Sequence, residues 1–151
     1  MPNPNNLSLS ISLVPECELF RLNRFYKRNG HKGKVDTGDT AFWLQDEKEI
    51  LAAVRFTADG DILLLRGLWV HKERRGEGLG SMLLTGCRHY WGKHTCFCYP
   101  YNHLEAFYAK HGFAHPDEQA PEHLIRKLQS YQQRGEQVIL MRHQLPCDCR
   151  M

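Results

Sequence analysis

Leu63 to Trp91 reads LLLRGLWVHKERRGEGLGSMLLTGCRHYW. Its first part, Leu63 to Val70, is a nearly continuous apolar run, which predicts a strand covered on both faces. His71 to Arg74 is polar and charged. From Leu79 onward, Leu79, Met82, Leu83, Gly86, Cys87 and Tyr90 recur at helical spacing, so a helix begins inside the glycine cluster Gly76-Glu77-Gly78-Leu79-Gly80. The first backbone N–H groups of a helix have no partner within it, and the helix dipole places partial positive charge there. Glycines allow close approach to the backbone, and Arg75 adds a full charge with a forked donor set. A strand, a basic glycine loop and a helix in this order predict a site for an anion, typically a phosphate or pyrophosphate.

At 151 residues the chain is read as a single domain, residues 1–151, with the Pro- and Asn-rich residues 1–6 and the tail 146–151 loose. Hydrophobic residues make up 42% and charged residues 25%, within the ordinary range for a folded protein. No apolar run is long enough to span a bilayer. The start MPNPNNLSLSISLVPEC lacks the basic opening and long apolar core of a signal peptide, which points to a cytoplasmic protein without membrane association. The net charge of +3 is too mild to indicate nucleic-acid binding. It is unevenly spread, however: Arg21, Arg24, Lys27, Arg28, Lys32 and Lys34 fall in one stretch before the next acid at Asp36. That stretch reads first as a solvated helix face and loop, and otherwise as an attractor for an acidic substrate or for the phosphates of a cofactor. The six cysteines read as free thiols, and neither Cys96-x-Cys98 nor Cys147-x-Cys149 has the ligand count of a metal site, so no metal is expected.

Along the chain, Leu7 to Val14 alternates as a strand, and Cys17 to Asn29 carries Leu19, Leu22, Phe25 and Tyr26 at helical spacing before Gly30. Residues 30–40 form a glycine-rich polar loop. Thr40 to Gln45 and Ile50 to Ala58 are strands joined by a turn at 46–49, and Asp59-Gly60-Asp61 turns the chain into the strand of the organising segment. Gly67 inside that strand predicts a bulge or a close backbone approach. A strand from His94 to Tyr99, a short helix from Asn102 to His111, a helix from Glu122 to Arg134 capped by Gly135, and a last strand from Val138 to Met141 complete the reading.

The two common phosphate loops both miss on spacing. A Walker loop ends in Gly-Lys-Ser/Thr, whereas here Gly80-Ser81-Met82 has no lysine. A dinucleotide fingerprint needs a third glycine where Ser81 stands. Arg75-x-x-Gly78-x-Gly80 matches instead the (Gln/Arg)-x-x-Gly-x-(Gly/Ala) signature of the GNAT superfamily of N-acetyltransferases, and Leu68-Trp69-Val70-His71 with Arg74 to Leu84 resembles that family's signature segment. Asn102 to Phe113, with Phe107-Tyr108 followed by Gly112-Phe113, resembles its later motif block.

The resemblance implies a mixed α+β fold, with a mostly antiparallel central sheet of six to seven strands flanked by helices and an extra helix before the last strand. It implies transfer of an acetyl group from acetyl-CoA to a primary amine, by direct attack in a ternary complex. The partners are then acetyl-CoA and an amine acceptor, small molecule or protein, acted on by a monomer or homodimer.

In that family's pattern the pyrophosphate lies on the backbone of Arg75, Gly76, Glu77, Gly78, Leu79, Gly80 and Ser81. A backbone N–H near Leu68, Trp69 and Val70 polarises the thioester oxygen. Asn102 contacts the cofactor, six positions before Tyr108 and one short of the usual spacing, and Tyr108 is the general acid for the departing thiolate. Many members carry a glutamate on the signature strand. Here Ile62 to Val70 reads ILLLRGLWV, which leaves His71, His103 and Glu105 as substitute bases, or a water chain, or a substrate that arrives partly neutral. The segment Glu122 to Arg134 lies where the family borders its acceptor site, as a partial lid, a dimer contact or decoration. The absent strand acid also admits a second class of function, a non-catalytic acyl-CoA-binding or regulatory module.

Overall fold

The structure, a computed structural model, describes residues 8–116 and 120–143. Seven strands form one mixed, mostly antiparallel sheet in the order β1-β2-β3-β4-β5-β7-β6. They are β1 Ser10–Leu13, β2 Thr40–Gln45, β3 Ile50–Asp59, β4 Ile62–Val70, β5 Thr95–Cys98, β6 Phe113–Ala114 and β7 Met141–His143. The helices are α1 Leu19–Arg28, α2 Leu79–Gly86, α3 Arg88–Trp91, α4 Glu105–Lys110 and α5 Glu122–Gln133. The chain divides into two compact units, residues 1–58 with 65–89, and residues 59–64 with 90–151.

In the first unit, β1 pairs antiparallel with β2 and β2 with β3. Both faces of β2 are covered, so its central residues Ala41 to Leu44 are all buried. Alternation decides which side chain meets which helix. Ala41, Trp43 and Ala53 pack with Leu22, Phe25 and Tyr26 of α1. Ile11 and Phe42 face the other way: the Ile11 side chain fills the space over Gly86 at the end of α2, and Phe42 meets the His89 ring at 6.1 Å. The helices α1 and α2 therefore sandwich the strands.

In the second unit, β5 and β6 both pair with β7, with His143 opposite Cys96 on one side and Phe113 on the other. Leu64, Phe97, Leu124 and Leu140 form one buried cluster, so α5 supplies part of this core and is not an added decoration. Trp91 packs against Phe113 and His143, with ring centroids 5.5 and 4.8 Å apart.

Most element boundaries fall within two residues of those expected. The first strand is shorter, beginning at Ser10, while the expected start at Leu7 lies outside the described residues. The last strand differs in position, running Met141–His143 instead of Val138–Met141. Pro100 has no N–H to offer a ladder, so opposite it the pairing reduces to the isolated bridge Tyr101↔Val138 and the bond from Ile139 N–H to Pro100 O at 2.9 Å. Regular pairing resumes at Met141 opposite Cys98. The expected helix 102–111 opens as a 3-10 turn at Asn102–Leu104 before α4.

Because Leu124 is 1% exposed, Leu124→Ala should lower the unfolding free energy by about 2–4 kcal/mol through a core cavity. Gln129→Ala, on the exposed face of α5, should change it by less than about 0.5 kcal/mol. Chemical denaturation of the two variants checks the difference.

Candidate active site: the glycine loop and its supports

The strand β4 ends at Val70, and the chain is caught at once by a bond from His71 N–H to Leu51 O at 2.8 Å. It then turns through Lys72 to Gly78 and enters α2. Gly76 and Gly78 have φ of 83° and 80°, the left-handed conformation that L side chains avoid. Gly78 is the residue preceding the helix, and its carbonyl accepts the Met82 N–H at 3.0 Å. A Cβ built on Gly76 or Gly78 would meet no atom within 4 Å. The glycines are therefore required by backbone conformation, and the space over the loop is open. This open start of a helix, with its positive dipole end, has the character of an anion site. Beside it Arg74 binds both carboxylate oxygens of Glu77 at 3.0 Å and holds that carboxyl below its ordinary range, so the one acid of the loop is neutralised by a neighbour.

Arg75 is exposed but not free-swinging. Its guanidinium lies 5.3 Å over the Trp69 ring, its Nε donates to Val70 O and its Nη2 donates to Asn29 O. Asn29, at the C-terminal end of α1, is buried and fully used. Its carbonyl also accepts the Trp69 indole N–H, its Oδ1 accepts the Lys72 N–H at 2.8 Å, and its Nδ2 donates to Phe25 O. Asn29 thus joins α1 to the turn that leads into the glycine loop, by its side-chain amide at Lys72 and by its backbone carbonyl at Trp69 and Arg75. Leu68, Trp69, Val70 and the loop residues Arg75 to Ser81 all lie on this unit.

A second assembly stands behind β4 and has no sequence signature. Gly67 has φ of 61°, and a Cβ there would come within 2.4 Å of Arg55 Nη1 and 2.8 Å of the Tyr26 hydroxyl. Gly67 is thus a site of close approach, and its carbonyl accepts the Tyr26 hydroxyl at 2.7 Å. Arg55 is buried on β3, paired with Asp39 at 3.8 Å with both side chains almost fully enclosed. Thr57 donates to the other Asp39 oxygen at 2.8 Å. Arg55 Nη1 also donates to His31 Nε2 at 3.2 Å, which places the proton of neutral His31 on Nδ1. The His31 ring sits between Tyr26 and Trp69, at 4.5 and 4.7 Å. The loop 30–40 is pinned near its start by His31 N–H to Tyr26 O and at its middle by the Val35 N–H to Asn23 Oδ1. In an alternating strand Arg55 reads as one more polar residue, and only its pairing with a distant loop aspartate explains its burial.

In the second unit, Tyr108 is buried in α4 between Phe107 and Phe113, which meet it edge-on at 5.1 and 5.7 Å. Burial first, and then the nearby Cys98 and Cys96 thiols, push its hydroxyl far above the ordinary value, so it carries its proton at neutral pH. Asn102 is exposed in the 3-10 turn, where its N–H donates to Gln137 O at 2.9 Å. The three substitute bases are each engaged: His71 with Glu49 at 3.1 Å, Glu105 with His115 at 2.9 Å, and His103 stacked on Tyr101. Cys87, Cys96 and Cys98 are buried, and Cys147 and Cys149 lie outside the described residues. Among the described residues no group of three or more His, Cys, Asp or Glu side chains could hold a metal, and no helix is long and apolar enough to cross a membrane.

A family model described as "Acetyltransferase (GNAT) domain" matches residues 38–115, more than half of the chain and the whole stretch from β2 to β6. The chain belongs to the GNAT acetyltransferase family. No curated protein sequence matches it at a significant level. Its fold is similar to that of Escherichia coli ElaA, with a TM-score of 0.61 at 17% identity over 90% of this chain and 99% of that one. It is also similar to the N-acetylglutamate synthase of Neisseria gonorrhoeae complexed with coenzyme A and N-acetyl-glutamate, with a TM-score of 0.67 at 13% identity over 91% of this chain and 35% of that one. A third similar structure is the PaiA N-acetyltransferase of Thermoplasma acidophilum in complex with coenzyme A, with a TM-score of 0.61 at 12% identity over 91% and 99%.

Burial first, and then Arg55 and Arg66, lower the His31 pKa from 6.5 to about 4. Between those values the unfolded chain takes up the proton and the folded chain does not, so stability falls as pH drops from 6.5 towards 4. His31→Asn should flatten the fall of melting temperature across that window relative to wild type. Parallel thermal unfolding curves for the two proteins between pH 6.5 and 4 would contradict this assignment.

Proposed function

We propose that this GNAT-family chain transfers an acetyl group from acetyl-CoA to a primary amine by direct attack in a ternary complex. The observation that carries the reading is the open left-handed glycine turn at Gly76 and Gly78 that starts α2, within the segment that matches the family model. Acetyl-CoA would supply an acetyl group activated as a thioester. The backbone from Arg75 to Ser81 would hold its pyrophosphate, with Arg75 adding charge from its anchored position on Trp69. A backbone N–H of Leu68 to Val70 would donate to the thioester oxygen as it gains charge. Asn102 is assigned a cofactor contact, by position in the later motif.

Tyr108 is assigned the proton for the departing sulfur. Its raised pKa suits that role, because a phenol held neutral at working pH is a donor and not a base. A primary amine with pKa of roughly 10 must also lose a proton. The engaged state of His71, His103 and Glu105 favours loss to water over any of the three. The lack of a carboxylate on β4 favours, as a second reading, a non-catalytic acyl-CoA-binding module.

Acetyl-CoA should raise the melting temperature of the wild type, and Gly78→Glu should abolish the shift, since a side chain at φ 80° is strained and fills the open loop. Tyr108→Phe should keep the shift and lower turnover with an amine panel by about 100-fold. No shift with any acyl-CoA would overturn cofactor binding, and a shift without turnover would select the binding module.

A further inference from the structure

The unit that carries the glycine loop also holds a cavity of about 450 Å³. Its walls carry Arg21, Arg24 and Arg28 of α1, Lys48 from the β2–β3 turn and Lys72 from the loop after β4. Phe25 and Ile50, both buried, give it an apolar floor. Five cations face two carboxylates, Glu49 and Glu73, a surplus equal to the net charge of +3 of the entire chain. Glu49 is turned to His71 at 3.1 Å, and Arg21 is paired with Glu18 and lies over Trp43. Arg24, Arg28, Lys48 and Lys72 have no carboxylate within ion-pair distance among the described residues.

Like charges in excess around one cavity repel each other, and an anionic ligand relieves that repulsion. We infer that this cavity binds a small molecule carrying two or more linked phosphates. The spacing supports a chain of charges over a single one, since positions 21, 24 and 28 lie on one helix face over roughly 10 Å of axis, with Lys48 and Lys72 supplying further charge. Arginine forks match phosphate oxygens in pairs. The volume lies in the range of small-ligand sites, about 300–1,000 Å³, and a concave pocket suits a small molecule better than a duplex. Lys27 and Lys34, basic residues of the same stretch, lie outside the lining. This site is separate from the glycine loop and does not depend on the transferase reading.

Titration calorimetry on the full chain at low salt tests this, with sodium tripolyphosphate, ATP, a poly-glutamate peptide and a single-stranded oligonucleotide as probes. Tripolyphosphate should bind one to one, more weakly as NaCl rises. Arg24→Gln with Arg28→Gln should lower its affinity at least tenfold, whereas Lys27→Gln with Lys34→Gln should change it less than twofold. Gly78→Glu should leave it unchanged. ATP binding tighter than tripolyphosphate would place its base on the Phe25 and Ile50 floor, and equal binding would assign recognition to phosphate alone. The inference is overturned by absence of binding, by equal losses in the two double variants, by loss in a folded Gly78→Glu, or by tighter binding of the peptide or oligonucleotide. Thermal unfolding of every variant confirms that the chain is folded.

Discussion

The first unit depends on one buried asparagine, through both its side-chain amide and its backbone carbonyl. Asn29 closes α1 and at the same time receives Trp69, Lys72 and Arg75, residues some forty positions later in the chain. Each of its polar atoms has a partner, which is the condition for burying such a group without loss. The consequence is geometric. The turn that leaves β4 is held from below by α1, so the glycine loop that follows begins from a fixed point. Arg75 is oriented by the same carbonyl, and the cavity beside α1 has Asn29 in its wall. The glycine loop and the basic cavity thus share one support.

What that support presents is a backbone surface and not a set of reactive side chains. The left-handed glycines open space over the start of α2, and the Arg74–Glu77 pair removes the loop's own negative charge. Behind the strand, Arg55, Tyr26 and His31 fill the place where a side chain at position 67 would have stood, and Asp39 pairs with Arg55. A strand interrupted by a left-handed glycine needs such backing, because the interruption breaks the extended backbone there. Arg55 and Tyr26 are buried, and Arg55 contacts both Asp39 and His31, so these residues read as structural supports of β4 and not as free catalytic groups.

Much of this was legible in the sequence. The strands β2, β3 and β4 were marked by apolar alternation and by the turns at 46–49 and 59–61, and the start of α2 by its glycines, because those signals are local. The family motif added the expected loop residues. The last strand was placed too early because Val138 to Met141 is apolar, and the signal that displaces it is Pro100 on the partner strand. Arg55, Asp39 and Asn29 carried no signal at all. Their roles exist only through partners distant in sequence, and an asparagine before Gly30 or an arginine in a strand is ordinary until those partners are known. Gly67 was marked as a point of close approach, but what approaches it, the Arg55 and Tyr26 side chains, was not readable.

The proposed chemistry asks little of individual side chains: a backbone cradle for the cofactor, a backbone donor for the thioester and a neutral tyrosine for the leaving group. The central claim is the transfer itself. The most direct measurement is mass spectrometry of products with acetyl-CoA labelled in the acetyl group, offered with a panel of amino acids, polyamines and amine-bearing peptides, alongside titration of the free thiol released. The account predicts one class of amine gaining the labelled acetyl group in equal amount to the coenzyme A thiol set free. Tight binding of acetyl-CoA with no labelled amine product and no thiol release across the panel would contradict it.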